Sequence, residues 1–140
     1  MSALYQQALL AHHQSPVGFN LDIKFDSAKS GHNPACGDEI TVKVAVTDGV
    51  ITDIAFDGDS CAICRASASI MCEQLKVTPF TQAKNIADKL IAGLESKENL
   101  SELLGDSYAP LNAVASFPIR AQCAQLPWQT FQLCFEELKP

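Results

Sequence analysis

Residues 38–57 read DEITVKVAVTDGVITDIAFD, and this stretch decides the fold. Ile40, Val42, Val44 and Val46 alternate with other residues, as on a strand that buries one face. Asp48-Gly49 is a strong hairpin signal, because the tight turn that joins antiparallel strands needs positive φ at its centre. Val50, Thr52, Ile54 and Phe56 continue the alternation on the return. Upstream, Phe19, Leu21, Ile23 and Phe25 show the same period, and Asp26–Asp38 reads as a loop of small and polar residues. Three antiparallel strands are therefore expected, the first over 19–25.

Helical signals lie on both sides of this sheet. Ser2 can cap a helix carrying Leu4, Tyr5, Ala8, Leu9 and His12, which Ser15-Pro16 ends. After Phe56, Asp59 or Ser60 can cap a helix that starts near Cys61 and runs to Leu75. Thr78-Pro79 opens another, with Phe80, Ala83, Ala87, Leu90, Ile91 and Leu94 on one face. Leu100, Leu103 and Leu104 mark at most a short helix in a polar stretch. Beyond Phe117-Pro118, Trp128, Phe131, Phe135 and Leu138 form an apolar stripe that Pro127 kinks or restarts. No repeat or linker divides the sequence, so a single domain over 1–140 is expected.

With 140 residues, 47% of them hydrophobic, the chain can fill one core. No apolar run approaches the ~18 residues of a membrane span. A net charge of −6 without a basic cluster argues against nucleic acid. The opening MSALYQQALLAHHQ lacks the basic and apolar regions of a signal peptide, so a cytoplasmic location with reduced thiols is expected.

Six cysteines then need an explanation: Cys36, Cys61, Cys64, Cys72, Cys123 and Cys134. With Asp48-Gly49 as the turn centre, Thr47 faces Val50, and the same register extended past both strands sets Cys36 opposite Cys61. Asp38 offers a carboxylate to the same point, which makes three ligands of a tetrahedral site. Cys123, in a polar setting with Arg120 and Gln122, is the better fourth candidate. Cys64, one turn after Cys61, could replace or supplement it, and His32 is near enough to Cys36 to substitute. Cys72 and Cys134 read as packing. A dithiol oxidoreductase built on Cys61 and Cys64 would want a strand–helix–strand context, and here a hairpin precedes the pair.

Four segments, LYQQALLAHHQSPVGF, NPACGD, FDGDSCAICRASASIM and FPIRAQCAQLPW, taken in order over nearly the whole chain, resemble the U-type iron–sulfur cluster assembly family of IscU, SufU and the N-terminal domain of NifU. The resemblance implies an α+β fold, a two-layer α/β sandwich of the SufE/NifU-like kind with a three-stranded antiparallel sheet against helices. It implies that Cys36, Asp38, Cys61 and Cys123 hold Zn²⁺, iron or a transient [2Fe-2S] cluster and receive persulfide sulfur from a cysteine desulfurase of the SufS or IscS type. Acceptor iron–sulfur proteins are the further partners, and the chain is expected to be a monomer or weak dimer. The segment GDSYAPLNAVASFPIR and the lack of a Leu-Pro-Pro-Val-Lys stretch are more similar to SufU-like members, and Gln122 stands where the IscU branch has histidine. Sulfur transfer is thus expected, with Cys36 as nucleophile and Arg120 pairing with Asp38 or a freed thiolate. The alternatives are an IscU-like scaffold for a [2Fe-2S] cluster and a structural zinc module that recruits partners. Cys64 departs from the family, which usually has serine there.

Overall fold

The computed structural model describes residues 3–139. In chain order these form α1 (Ala3–Gln14), β1 (Ser27–Asn33), β2 (Asp38–Thr47), β3 (Val50–Asp57), α2 (Ala62–Leu75), α3 (Phe80–Glu95), α4 (Leu100–Leu104), a 3₁₀ segment (Asp106–Ser116) and α5 (Pro118–Leu138). The strands make an antiparallel sheet in the order β1-β2-β3, with α5 packed on β1 and β2 and α2 on β3. The fold is α+β. Among the described residues no helix is long and apolar enough to cross a membrane.

β2 follows its alternation, with Ile40, Val42 and Val44 buried. The hairpin begins in the expected register, Thr47 facing Val50 and Val46 facing Ile51, and then slips by one residue, so that Ala45 faces Asp53. Thr52 is the extra residue of a β-bulge, and a one-residue slip exchanges the faces. Ile51 therefore enters the core and Thr52 turns to solvent, while Ile54 and Phe56 stay buried.

The expected first strand is displaced. Residues 19–25 form no strand: only Phe19 meets Phe56 in an isolated bridge, and Leu21 and Phe25 are half exposed. The strand is Ser27–Asn33, which lacks large apolar residues because α5 passes close over it. A Cβ at Gly31 would run into the Thr130 hydroxyl and come within 3.0 Å of Leu126, so the small residues that look like a loop are what the helix requires.

Helix boundaries differ in detail. The Ser2 cap and the side chains of Leu4 and Tyr5 lie outside what is described. In α1, Leu9 is buried, and His12 is no free surface residue: its Nδ1 lies 2.6 Å from the Ser69 hydroxyl, which also accepts the Val17 N–H at 2.8 Å. α2 is capped by Cys61 rather than by Asp59 or Ser60. Pro79, not Thr78, precedes α3, and the Thr78 hydroxyl donates instead to the Gln74 carbonyl at 3.0 Å. The stretch at 106–116 is not a polar connector, since Tyr108, Leu111 and Val114 are buried in it.

α5 runs unbroken through Pro127. Its Trp128 and Phe131 are fully buried, and Phe80 packs on Phe131 and Phe135 with ring centroids 6.1 and 4.7 Å away. Between α2 and α5, the Trp128 indole donates to the Ser67 hydroxyl at 2.9 Å, which donates to the Ala124 carbonyl at 2.6 Å.

Two substitutions test this packing. Gly31→Ala should destabilise the protein by about 1–3 kcal/mol in urea melts, because the helix has no room to yield. Val77, a β-branched residue at φ 59° with 76% exposure, sits where glycine is at ease. Val77→Gly should therefore stabilise by about 1 kcal/mol, since little packing is lost and the steric cost of the left-handed backbone is relieved.

Candidate metal centre

The turn between β1 and β2, residues 34–37, carries Cys36 into solvent, and β2 begins at Asp38, which is only 1% exposed. A buried carboxylate needs partners. Asp38 Oδ1 accepts the Cys61 backbone N–H at 2.7 Å, and Oδ2 lies 3.9 Å from the Cys61 sulfur. Gly58 makes this closure possible, because a side chain there would run into the Glu39 carbonyl. The Glu39 N–H in turn donates to the Asp59 carbonyl at 2.9 Å.

Cys61 is the N-cap of α2, and its sulfur accepts the Cys64 N–H at 3.4 Å. The helix dipole favours negative charge at this point. Cys123, in the second turn of α5 and 1% exposed, has its sulfur 2.8 Å from that of Cys36. One ligand atom each from Cys36, Asp38 and Cys123 lies within 4.8 Å of the other two. Cys61 is outside that group of three and joins it through Asp38.

Burial pushes the Cys123 thiol well up, and Cys36, Asp38 and Cys61 beside it push the same way. The Cys123 thiol therefore holds its proton firmly in this setting. Soft sulfurs beside one carboxylate fit a thiophilic divalent ion, zinc or iron, better than magnesium or calcium.

The extended hairpin register brought Cys36 and Cys61 to one end of the sheet by the wrong path. The bulge at Ala45/Val46 shifts the pairing, and the two thiols meet around Asp38 rather than face to face. Arg120 is not brought to the cluster: it is exposed, forms no ion pair with Asp38, and stacks its guanidinium 5.0 Å over Phe117. Its expected pairing with Asp38 is thus not made in this structure, and pairing with a freed thiolate stays an expectation. His32 is exposed and turned toward Glu39, 3.9 Å away, rather than toward Cys36.

Cys64 is fully buried, its thiol pushed up to about 12 by burial and then by the Asp38 charge. Cys72 lies in the core against Gly18, and Cys134 donates to the Val42 carbonyl at 3.6 Å. The sequence reading gave no role to Asn33 or Ser67. Asn33 donates to the Cys123 sulfur at 3.6 Å, and its place just before Pro34-x-Cys36 was the available signal. Ser67 gave none, because a serine within a helix reads as neutral until its partner is known.

A domain of this topology, with thiols and an aspartate gathered at one end of the sheet, is a recognisable class. The chain belongs to the NifU-like N terminal domain family, which matches residues 4–124. It is 31% identical over 137 residues to the zinc-dependent sulfurtransferase SufU of Bacillus subtilis, covering 94% of this chain and 89% of that one. It is 30% identical over 141 residues to the iron–sulfur cluster assembly scaffold protein IscU of Thermotoga maritima, covering 96% and 94%. Among solved structures, a protein of Fervidobacterium islandicum AW-1 described as an iron–sulfur cluster assembly scaffold for the SUF system superposes with a TM-score of 0.77 at 26% identity, over 95% of this chain and 94% of that one. The N-terminal NifU-like protein of Brucella abortus shares the fold, with a TM-score of 0.86 at 20% identity over 96% and 94%.

Thiol exposure predicts an order of reactivity. At neutral pH, alkylation followed by peptide mapping should mark Cys36 first and spare Cys64, Cys72 and Cys134 until the protein unfolds. Cys64 rises from 9.0 and Tyr108 from 10.0, both to about 12, so the folded state holds these protons more tightly. Their contribution to stability is complete below about pH 9 and is lost as pH rises toward 12, so the urea midpoint should fall across that window.

Proposed function

We propose that this protein serves iron–sulfur cluster assembly by accepting persulfide sulfur on Cys36 from a cysteine desulfurase of the SufS or IscS type. In this reading Cys36, Asp38, Cys61 and Cys123 form one zinc or iron site. The observation that carries the proposal is the contrast within the thiol pair: Cys36 is exposed on a turn, while Cys123, 2.8 Å away, is buried. A partner's persulfide can reach the first and not the second. The B. subtilis SufU, described as zinc-dependent, supports the same reading.

Zinc bound here would hold the thiols as thiolates and tie the turn at 34–37 to α5. The remaining chemistry belongs to the chain and its partner. The Cys36 thiolate attacks the outer sulfur of the desulfurase persulfide with its own electron pair. A sulfur–sulfur bond forms on Cys36 as the partner's breaks, and the leaving pair stays on the partner's cysteine thiolate, so no outside oxidant or reductant is needed. Asp38, the first residue of β2 after the turn, would be the one oxygen ligand among softer sulfurs and so the weakest hold on such an ion. The sulfur then passes to acceptor iron–sulfur proteins in the cytoplasm.

The IscU-like reading, in which the same four residues assemble and hand on a [2Fe-2S] cluster, is favoured by the described role of the T. maritima relative. Anaerobic incubation with iron, cysteine and a desulfurase separates the two. Persulfide on Cys36 without a stable chromophore supports transfer, and a chromophore that moves to an apo-acceptor supports the scaffold. Cys36→Ser should abolish persulfide formation while leaving the circular dichroism spectrum intact, and undiminished transfer by that variant would remove Cys36 from the role. Under the structural-zinc reading, ligand substitutions would instead unfold the domain and no cysteine would carry persulfide.

A further inference from the structure

We infer that Asn33 is a positioning residue that makes Cys123 the fixed thiolate of the pair and leaves Cys36 as the mobile one, an assignment that rests on the metal-centre reading above. Asn33 ends β1, faces Asp38 across the hairpin and is 7% exposed. Its Oδ1 accepts the Ala35 N–H at 3.2 Å and its backbone carbonyl accepts the Cys36 N–H at 3.3 Å, so the residue shapes the turn that carries Cys36.

The commitment of Oδ1 to the turn fixes which way the amide faces. Nδ2 is left toward α5, where it donates to the Cys123 sulfur at 3.6 Å, a separation set by the large radius of sulfur. One side chain thus reaches both halves of the site, whose thiols are 87 residues apart in sequence.

The two sulfurs are treated unequally. Cys123 receives a side-chain N–H inside the protein, while Cys36 receives none and stands in solvent. A thiolate that accepts an N–H is held in place and has part of its charge stabilised, so it is the poorer nucleophile and the steadier ligand. The amide has a matching need, because a buried N–H that loses its acceptor is left unsatisfied.

Asn33→Ser separates the two tasks: a serine hydroxyl can still accept the turn N–H, but it is too short to reach Cys123. Asn33→Ala removes both. Zinc affinity is read by competition with a chromophoric chelator, using Zn²⁺ alone, and the sulfur-to-metal charge-transfer band is read on Co²⁺-loaded protein. Both variants are expected to bind zinc more weakly by about tenfold or more and to shift the cobalt band. A serine variant that keeps zinc affinity within less than about tenfold of wild type, or leaves the band unmoved, would overturn the assignment and reduce Asn33 to a turn residue.

A wild-type measurement covers the case in which the variants fail to fold. On titrating ¹⁵N-labelled protein with Zn²⁺, one of the two Asn33 side-chain amide protons should move downfield, and an unmoved pair overturns the assignment. If the wild-type chain takes up no zinc at all, the metal-centre reading itself fails, which is distinct from a wild type that binds and a serine variant that binds as well.

Discussion

The Asp38 carboxylate accepts the Cys61 N–H at 2.7 Å, fastening the first residue of β2 to the residue that caps α2. Sheet and helix are consecutive in sequence only through β3, so their ends could sit apart. The buried bond holds them together. It also places an acidic oxygen among thiols, which would be costly without a partner for its charge. The same atoms therefore hold the architecture and give the thiol cluster its one carboxylate.

α5 brings the other half of the site and is held by different means. Buried aromatic rings set its depth, and the chain from Trp128 through Ser67 to the Ala124 carbonyl sets its position along α2. Ala124 adjoins Cys123, so the tether acts one residue from that thiol. The carbonyl of Cys123 itself has no helical partner four residues on, because Pro127 carries no N–H. A thiol on a sheet turn and one on a rigid helix thus meet within 2.8 Å, and the capping thiol joins them through Asp38, without any being near the others in sequence.

The legible parts of the sequence were those in which burial speaks through periodicity. β2 alternates, α3 carries its stripe, and the Asp48-Gly49 turn fixes where the hairpin begins. β1 could not be read because its inward residues are chosen for smallness: Gly31 and Ser27 report the closeness of α5, a neighbour a hundred residues away in sequence. The bulge at Thr52 was hidden for a related reason, since Val50-Ile51-Thr52 allows either phase. For the site, hairpin logic brought Cys36, Asp38 and Cys61 to one end of the sheet despite the missed bulge, whereas Cys123 could be preferred only for its polar setting until the fold set it beside Cys36. Basic character near a cysteine does not say where a long side chain points, and Arg120 lies over Phe117.

The cap on α2 is a sulfur, and that gives the helix an unusual dependence. In most helices the capping atom has no other occupation, so the first turn is as stable as its sequence makes it. Here the Cys61 sulfur both satisfies the Cys64 N–H and faces Asp38 at the cluster. Whatever draws charge from that sulfur loosens the first turn, and whatever concentrates charge on it tightens the same turn. The beginning of α2 is thus tied to the chemical state of one thiol, so the backbone of the first turn and the side-chain cluster respond together.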